Sequence, residues 1–600
     1  MRGTLNTFFS ILASGMAALI GALALTFSTL GDAQAQSQPT FVSVAFHEVV
    51  DSEADLDDDA ITTDRLINFF EFLKADGWTA ISLNDIVLAR QGKKPLSPKS
   101  ILITFDDGYA DLYTRVFPLL KIYSYPIVSA LVGQWMDAPL DANVNYGGQQ
   151  VPRRKFLTWA QAREMQASGL VEFASHSYDQ HFALTADPYG TQIPAMVTYA
   201  FEAQANQYET AATFERRIRE DMKANTALLK RELGKRPRAF VWPYGRYSLQ
   251  TIRIAREAGY EFALNLNDEP SQVTLPMEIA RYMPERNPTL GELVTDLRHD
   301  PAFAPTTRVV DIGLAALLAA KPAEFDDQLG QLIEDVRHLS PTAVILQPYT
   351  VAADGSIQSH FAVQAPASQV SDRATRIVWQ LANRADVGVY ARVSMRELLT
   401  GLTTQEKVLQ WFAALGQQLP ITGIVFADAG SWVSSLPTVG DVTGPWTVRE
   451  RRRQLSLDQL TPEARLALQA FRQAQTYRPT IELIAIAPVS KAQAASDVPP
   501  AVPSAVDLLL LTHAEHWPAG LPSWANANFL KVPEAHRRLG LWLGSVDSLA
   551  AAHVVGQTAF SATTRGVSAL GWRVQFDARL DDMIRELKPS LSAATFPLRF

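Results

Sequence analysis

The run Ser100-Ile101-Leu102-Ile103-Thr104-Phe105, followed at once by Asp106-Asp107-Gly108-Tyr109, sets the terms for the first half of this 600-residue chain. An unbroken apolar, β-rich stretch predicts a strand buried on both faces, as in a parallel sheet covered by helices. The two carboxylates then fall at the strand's carboxyl end, where α/β folds assemble their ligand sites. Asp-Asp-Gly alone is an ordinary solvated turn, but the Ile-Leu-Ile-Thr-Phe before it does not suit one.

The surrounding chain repeats the theme. Runs with strand character recur at 41–49, 101–108, 126–133, 170–177, 238–245 and 262–267, with helix patterns at 64–75, 109–123, 158–168, 214–233 and 249–258. Thr158 is placed to cap one of these helices. Repeated β-α units imply a parallel sheet closed, or nearly closed, into a barrel. The polar stretches 134–157 and 182–213 are expected to lie over one end as loops.

A Pro-containing segment at 298–305 marks the expected boundary. Beyond it, strand-like runs at 308–314, 343–349, 387–394, 421–428, 480–488, 506–512, 539–545 and 567–574 alternate with helix patterns, which predicts a (β/α)8-barrel-like second domain. The Ala/Pro-rich stretch 491–503 reads as a long loop. The expected organisation is α/β throughout: a segment 1–35, a first domain 36–304 and a second domain 305–600.

Residues 8–30 are uncharged and mostly apolar behind Arg2, and Ala33-Gln34-Ala35 precedes a polar stretch. This reads as a secretory signal cleaved after Ala35; the alternative is an uncleaved anchor. With no cysteine in the chain there is neither a disulfide nor a lipid-modified N-terminal cysteine. The expected location is the periplasm or cell surface, with no membrane span once the signal is removed. A net charge of -8 without a long basic run argues against nucleic acid as a partner and suits a cationic ligand.

A second cluster, Ala174-Ser175-His176-Ser177-Tyr178-Asp179-Gln180-His181, also ends an apolar run. Neutral imidazoles suit a borderline divalent metal, and one added carboxylate gives a two-His-one-carboxylate face open to water and substrate. His-x4-His by itself is more often unrelated to metal; Phe-Asp-Asp-Gly on a neighbouring strand end changes the balance.

Thr-Phe-Asp-Asp-Gly at 104–108, His-Ser-x-x-x-His at 176–181 and Trp-Pro-Tyr-Gly at 242–245 resemble the successive motifs of carbohydrate esterase family 4, the NodB-like polysaccharide deacetylases. Their order and spacing, with a second large domain behind, are most similar to members acting on poly-β-1,6-N-acetyl-D-glucosamine. The resemblance implies a deformed β/α barrel for the first domain and hydrolysis of acetamide groups on an exported N-acetylglucosamine polymer, in support of export and biofilm formation. It implies Asp107, His176 and His181 as ligands of a divalent ion (zinc, nickel, cobalt or iron) and Asp106 as general base. His47, after the first strand, resembles the family's acid, and its early place implies a permuted motif order. The wider family usually has Arg before Pro-Pro-Tyr; here Val241-Trp242 stand there. Trp242, with Tyr244, is then expected to wall the sugar or acetyl group, core packing being the alternative for Trp242, and the Tyr109 backbone N–H to serve the oxyanion. Besides the polymer, an outer-membrane export protein is an implied partner.

The second domain resembles the family's glycoside-hydrolase-like barrel in degraded form. Asp428 alone remains where the family carries His-Asp-Asp, and the usual Asp-x-Asp-Tyr is reduced to Asp311-Ile312-Gly313-Leu314. Glu397 and Glu515 are off-motif and read as surface carboxylates. One surviving aspartate argues for polymer binding or partner docking over hydrolysis. The rival readings are a glycosidase working through this barrel and a non-catalytic polysaccharide scaffold; chitin and peptidoglycan stay open as substrates.

Overall fold

In the first half of the chain, apolar segments too short to stand alone are assembled side by side. The computed structural model describes residues 40–298, 307–362, 372–438, 447–513, 517, 521–527, 538–575, 577 and 580–593. The expected signal segment and most of the 298–305 boundary lie outside these residues. Six parallel strands, β1 (Thr40–Phe46), β2 (Ser100–Phe105), β3 (Ile127–Leu131), β4 (Val171–Ser175), β5 (Ala239–Val241) and β6 (Phe262–Leu264), lie in sequence order across one curled sheet. Every residue of β2 and β3 is buried, as an unbroken apolar run requires.

The sheet does not close strand to strand. The extended segment Ile279–Tyr282 fills the gap: Ile279 N–H donates to Ala263 O (3.0 Å) and Tyr282 N–H to Ser43 O (2.9 Å). It thereby joins β6 to β1 and completes the deformed barrel. Helices α1 (Trp159–Ala167) and α2 (Ala211–Leu233) cover its outside. Thr158 caps α1 in a reciprocal capping box with Gln161.

Three strands end earlier than the apolar runs suggest. Asp107 (φ 69°), Ser177 (φ 70°) and Tyr244 (φ 56°) adopt left-handed backbone just past β2, β4 and β5, so pairing cannot continue through them. The stretches 134–157 and 182–213 are more ordered than loops, since each contains hairpins, among them Asn143–Tyr146 with Gln149–Pro152 and Ala183–Thr185 with Gln192–Pro194.

The second half is a closed barrel of eight parallel strands, β7 (Thr307–Gly313), β8 (Ala343–Leu346), β9 (Gly388–Val393), β10 (Gly423–Phe426), β11 (Glu482–Pro488), β12 (Leu508–Thr512), β13 (Leu539–Val546) and β14 (Ala569–Gln575), with β14 paired to β7. Alternate residues such as Val309, Ile345, Val425, Ile484 and Leu510 fill its interior, as a small barrel demands. Helices α3 (Met395–Leu402), α4 (Val448–Gln454) and α5 (Pro462–Tyr477) belong to this half.

Gly108 follows Asp107 at φ +74°, and a Cβ there would meet Leu131 Cδ2 at 2.5 Å. Strain and overpacking therefore coincide at this turn. Gly108→Ala is expected to lose about 1–3 kcal/mol of stability, read as a lowered urea midpoint; an unchanged midpoint would contradict this packing.

Candidate active site

The carboxyl ends of β1, β2, β4 and β5 converge, and each leads into residues expected to act: His47, Asp106 and Asp107, His176 and His181, and Tyr244. Asp107 and His176 are 1% and 2% exposed, and Asp107 Oδ1 lies 3.4 Å from the Nε2 atoms of both His176 and His181. One ligand atom from each of the three lies within 4.8 Å of the others. At 3.4 Å the contacts exceed normal hydrogen bonds, and Asp107 Oδ1 is a buried acceptor with no hydrogen-bond partner. His176 Nδ1–H donates to Val241 O (2.8 Å), which fixes the tautomer and turns Nε2 toward Asp107.

The electrostatics favour a cation at this point. Burial alone would raise Asp107, but the imidazoles of His181 and His176 hold its carboxyl well below the usual carboxylate range. Burial would lower His176, yet Asp107 and Asp106 raise it above its ordinary value. His181 is pushed down to about 4 by burial, against the pull of Asp107. An anionic carboxylate with an unpaired buried oxygen, facing two imidazoles, is a donor set that fits a divalent ion.

Asp106 points elsewhere. Its Oδ1 and Oδ2 accept from Arg281 Nη1 (2.8 Å) and Nη2 (2.9 Å), a two-pronged pair of the kind guanidinium favours. Arg281 is fully buried, donating also to Thr104 Oγ1 (2.8 Å) and Asn265 O (3.1 Å). Burial pushes the Asp106 carboxyl up, but the Arg281 guanidinium, with His176 and His47 adding to it, holds it below its ordinary value. His47 Nε2 lies 4.0 Å from Asp106 Oδ2, and its Nδ1 is buried without a partner. The sequence reading missed Arg281, which the segment that closes the sheet brings to Asp106.

The aromatic residues divide differently from expectation. Tyr244 is 39% exposed, its ring 4.6 Å from His181. Trp242 has 0% exposure and packs on Phe240 and Tyr247, so it belongs to the core behind the site and cannot wall a sugar. Tyr109 is buried against Tyr146 and Phe156. Tyr146, carried by a hairpin the sequence reading took for loop, donates to Asp107 Oδ2 (3.0 Å); this leaves Oδ1 toward the histidines. Two further residues escaped notice on α2. Asp221 accepts from the N–H groups of Tyr178 (3.0 Å) and Asp179 (2.7 Å), and Asn225 donates to Leu131 O (3.1 Å) and Ser175 Oγ (2.8 Å). They sit one turn apart: Asp221 grips the loop between the two histidines, and Asn225 ties the strand ends just before it. Burial lifts the Asp221 carboxyl to about 6 even with two N–H donors.

Residues 93–263 match the family model described as polysaccharide deacetylase. The chain carries a polysaccharide deacetylase domain. Over 352 residues it is 33% identical to the poly-β-1,6-N-acetyl-D-glucosamine N-deacetylase of Escherichia coli (strain K12), a match covering 58% of this chain and 52% of that protein. The chain thus spans about half the length of that relative. A solved de-N-acetylase from Aggregatibacter actinomycetemcomitans is 32% identical, covering 43% of this chain and 99% of that one at a TM-score of 0.41. The glycoside hydrolase domain of PgaB (BpsB) from Bordetella bronchiseptica is 16% identical over 48% of this chain and 99% of its own, at a TM-score of 0.34. His47 and Arg281 both fall outside the residues that match the deacetylase model.

The barrel behind the deacetylase domain has committed its carboxylates. Asp428 accepts from Ser394 Oγ (2.8 Å), Met395 N–H (3.1 Å) and Arg396 N–H (3.0 Å), so it anchors the first turn of α3. Asp311 is buried facing the Arg392 and Arg573 guanidiniums. The space beside Gly313 is filled by Gln575, whose Oε1 would lie 2.0 Å from an added Cβ. Glu397 accepts from Tyr349 Oη (2.8 Å) and is a packed residue, not a free surface carboxylate. Glu515 lies outside the described residues.

Two outcomes follow. Tyr146→Phe is expected to weaken zinc binding by ~10-fold or more, within the range seen when the partner of a metal ligand is lost, as measured by titrating metal-free protein; unaltered affinity would separate Tyr146 from the site. Asp428→Ala is expected to cost about 1–2 kcal/mol in unfolding experiments, the value of a helix cap.

Proposed function

We propose that this protein is a metal-dependent N-deacetylase of an exported N-acetylglucosamine polymer. The observation that carries the reading is the Asp107–His176–His181 cluster beside a second carboxylate, Asp106, held apart from it by Arg281. Two adjacent carboxylates in one buried site repel unless each is matched to a positive charge. Arg281 matches Asp106, and a divalent ion matches Asp107.

Asp107, His176 and His181 hold the ion, which when bound polarises the acetamide carbonyl and makes water a better nucleophile. Asp106 takes the proton from the attacking water. Its carboxylate is ionised across the neutral range because Arg281 stabilises the charge, and its plane is fixed by both guanidinium nitrogens. His47, across from Asp106, gives a proton to the departing amine. Tyr244 offers an aromatic face to the sugar beside His181. The Tyr109 N–H, in the turn after Asp107 and Gly108, is the donor assigned to the oxyanion.

Support for an amino-sugar polymer, and for β-1,6 linkage, comes from the enzyme of Escherichia coli named above, to which this chain is 33% identical over 352 residues. Export to the periplasm rests on the apolar 8–30 stretch and Ala33-Gln34-Ala35; no helix among the described residues is long and apolar enough to cross a membrane. The division into domains at 36–304 and 305–600 belongs to the same proposal, as does docking of the second barrel on polymer or on an export partner. Hydrolysis by that barrel is disfavoured by the capping role of Asp428.

The test is acetate release from β-1,6-linked N-acetylglucosamine oligomers, with chitin and peptidoglycan fragments in parallel. Asp106→Asn is expected to lower kcat by ~10²–10⁴-fold, and metal removal to abolish activity reversibly. Equal background release from wild type and Asp106→Asn would refute the reading. De-N-acetylated polymer is expected to keep its length on incubation with wild type; shortened chains would restore the glycosidase alternative.

A further inference from the structure

The second barrel touches a loop of the first half through one short basic helix. α4 is fixed on its own side: Arg452 is 1% exposed, donating to Ala505 O (2.8 Å) and Asp507 Oδ2 (2.7 Å), and Arg472 caps the carbonyls of Arg452 (2.7 Å) and Leu455 (2.9 Å). Three other side chains of α4 cross to the other half. Arg449 pairs with Glu269, Glu450 accepts from Gln272 Nε2 (2.6 Å), and Arg453 Nη1 donates to both carboxylate oxygens of Glu278 (2.7 and 2.9 Å).

All three acceptors and donors lie on 269–278, which runs directly into the segment that closes the sheet. Ser271 Oγ accepts from Ala280 N–H (2.9 Å) and donates to Ala280 O (3.0 Å), so both ends of this loop are tied together. The next residue is Arg281. Two residues, Ile279 and Ala280, therefore separate the Arg453–Glu278 pair from the residue whose guanidinium holds Asp106, and Glu450 and Gln272 are both largely buried. A loop gripped at three points is stiff, and a displacement at Glu278 has little slack in which to dissipate.

We propose that Arg449, Glu450 and Arg453 are positioning residues for the deacetylation reaction: the second barrel holds the 269–278 loop so that Arg281 presents Asp106 in its working orientation. The inference rests on the deacetylase reading for its kinetic consequence, and on the geometry alone for its structural one. It gives the degenerate barrel a role that needs neither a glycosidic site nor a bound polymer.

The test compares Arg453→Glu, Glu278→Arg and the two together in the full-length protein. The expected result for each single variant is a fall in kcat of about tenfold, toward the ~10²-fold that a small misplacement of a catalytic group can cost. KM and zinc content should stay within about twofold. The charge-swapped double variant should recover most of kcat, since the pair is restored with opposite polarity. Amide exchange at Ile279 and Tyr282 should quicken in the single variants and slow again in the double. If Arg453→Glu proves too unstable, Arg449→Met with Arg453→Met removes the charges without reversing them. Wild-type kcat and wild-type exchange in these variants would overturn the inference. Loss of kcat that the swap fails to restore, with a lowered Tm, would also overturn it, as the contact would then be structural only. Should the wild type release no acetate, the deacetylase reading falls, while exchange at Ile279 and Tyr282 still decides whether α4 controls the closing segment.

Discussion

The buried pair between Arg281 and Asp106 is the contact on which the first half of the molecule depends. A guanidinium with no exposure to water is costly unless its N–H groups are spoken for, and here Asp106, Thr104 and Asn265 accept them. The partners come from both sides of the gap in the sheet, so satisfying Arg281 and closing the barrel are one event. The same contact separates the two aspartates electrically. Asp106 belongs to Arg281, and Asp107, turned by its left-handed backbone, belongs to the histidines.

Much of this was legible in the chain because the relevant information is local. Strand runs ending in Asp-Asp-Gly, His-Ser and Pro-Tyr-Gly put side chains at carboxyl ends, and the structure brings Asp107, His176 and His181 within 4.8 Å as that placement implies. What was not legible comes from distant segments. Arg281 sits in an ordinary-looking Ile-Ala-Arg-Tyr stretch whose meaning appears only when it bridges β6 and β1. Tyr146 lies in a polar stretch where no periodicity announces a hairpin, and Asp221 and Asn225 sit on a long amphipathic helix as two polar residues among many. The parting of Trp242 into the core and Tyr244 to the surface has a local cause that spacing alone does not reveal. Trp242 still has extended backbone and packs inward with the strand, whereas the left-handed Tyr244 reverses the chain and turns its ring toward His181.

The two barrels differ in what faces their buried polar atoms. At the mouth of the first, Asp107 Oδ1, His181 Nδ1 and His47 Nδ1 are buried and unpartnered. Native folds tolerate few such atoms, and those they keep concentrate where a ligand or a reaction completes the bonding. At the mouth of the second, Asp428 accepts three hydrogen bonds at a helix N-terminus, and the buried Asp311 Oδ2, also without a hydrogen-bond partner, is faced by two guanidiniums. Among the described residues, a carboxylate and two imidazoles close enough to share a metal ion come together in the first barrel, at Asp107, His176 and His181. That difference, more than the loss of motif residues, assigns the proposed chemistry to the first barrel.

It also bears on what constitutes the working unit. The span matching the deacetylase model, 93–263, contains the ligands and Asp106 but neither the proposed acid nor the partner of the base. His47 enters from β1, and Arg281 from the segment that pairs with β1. Because Tyr282 N–H bonds to Ser43 and Ala45 N–H to Tyr282, both missing groups arrive through one seam in the sheet. The loop feeding that seam is gripped by α4 of the other barrel. A hydrolase site needs its base fixed to a fraction of an ångström, and in this molecule the side chains that fix it are distributed over residues from β1 to α4.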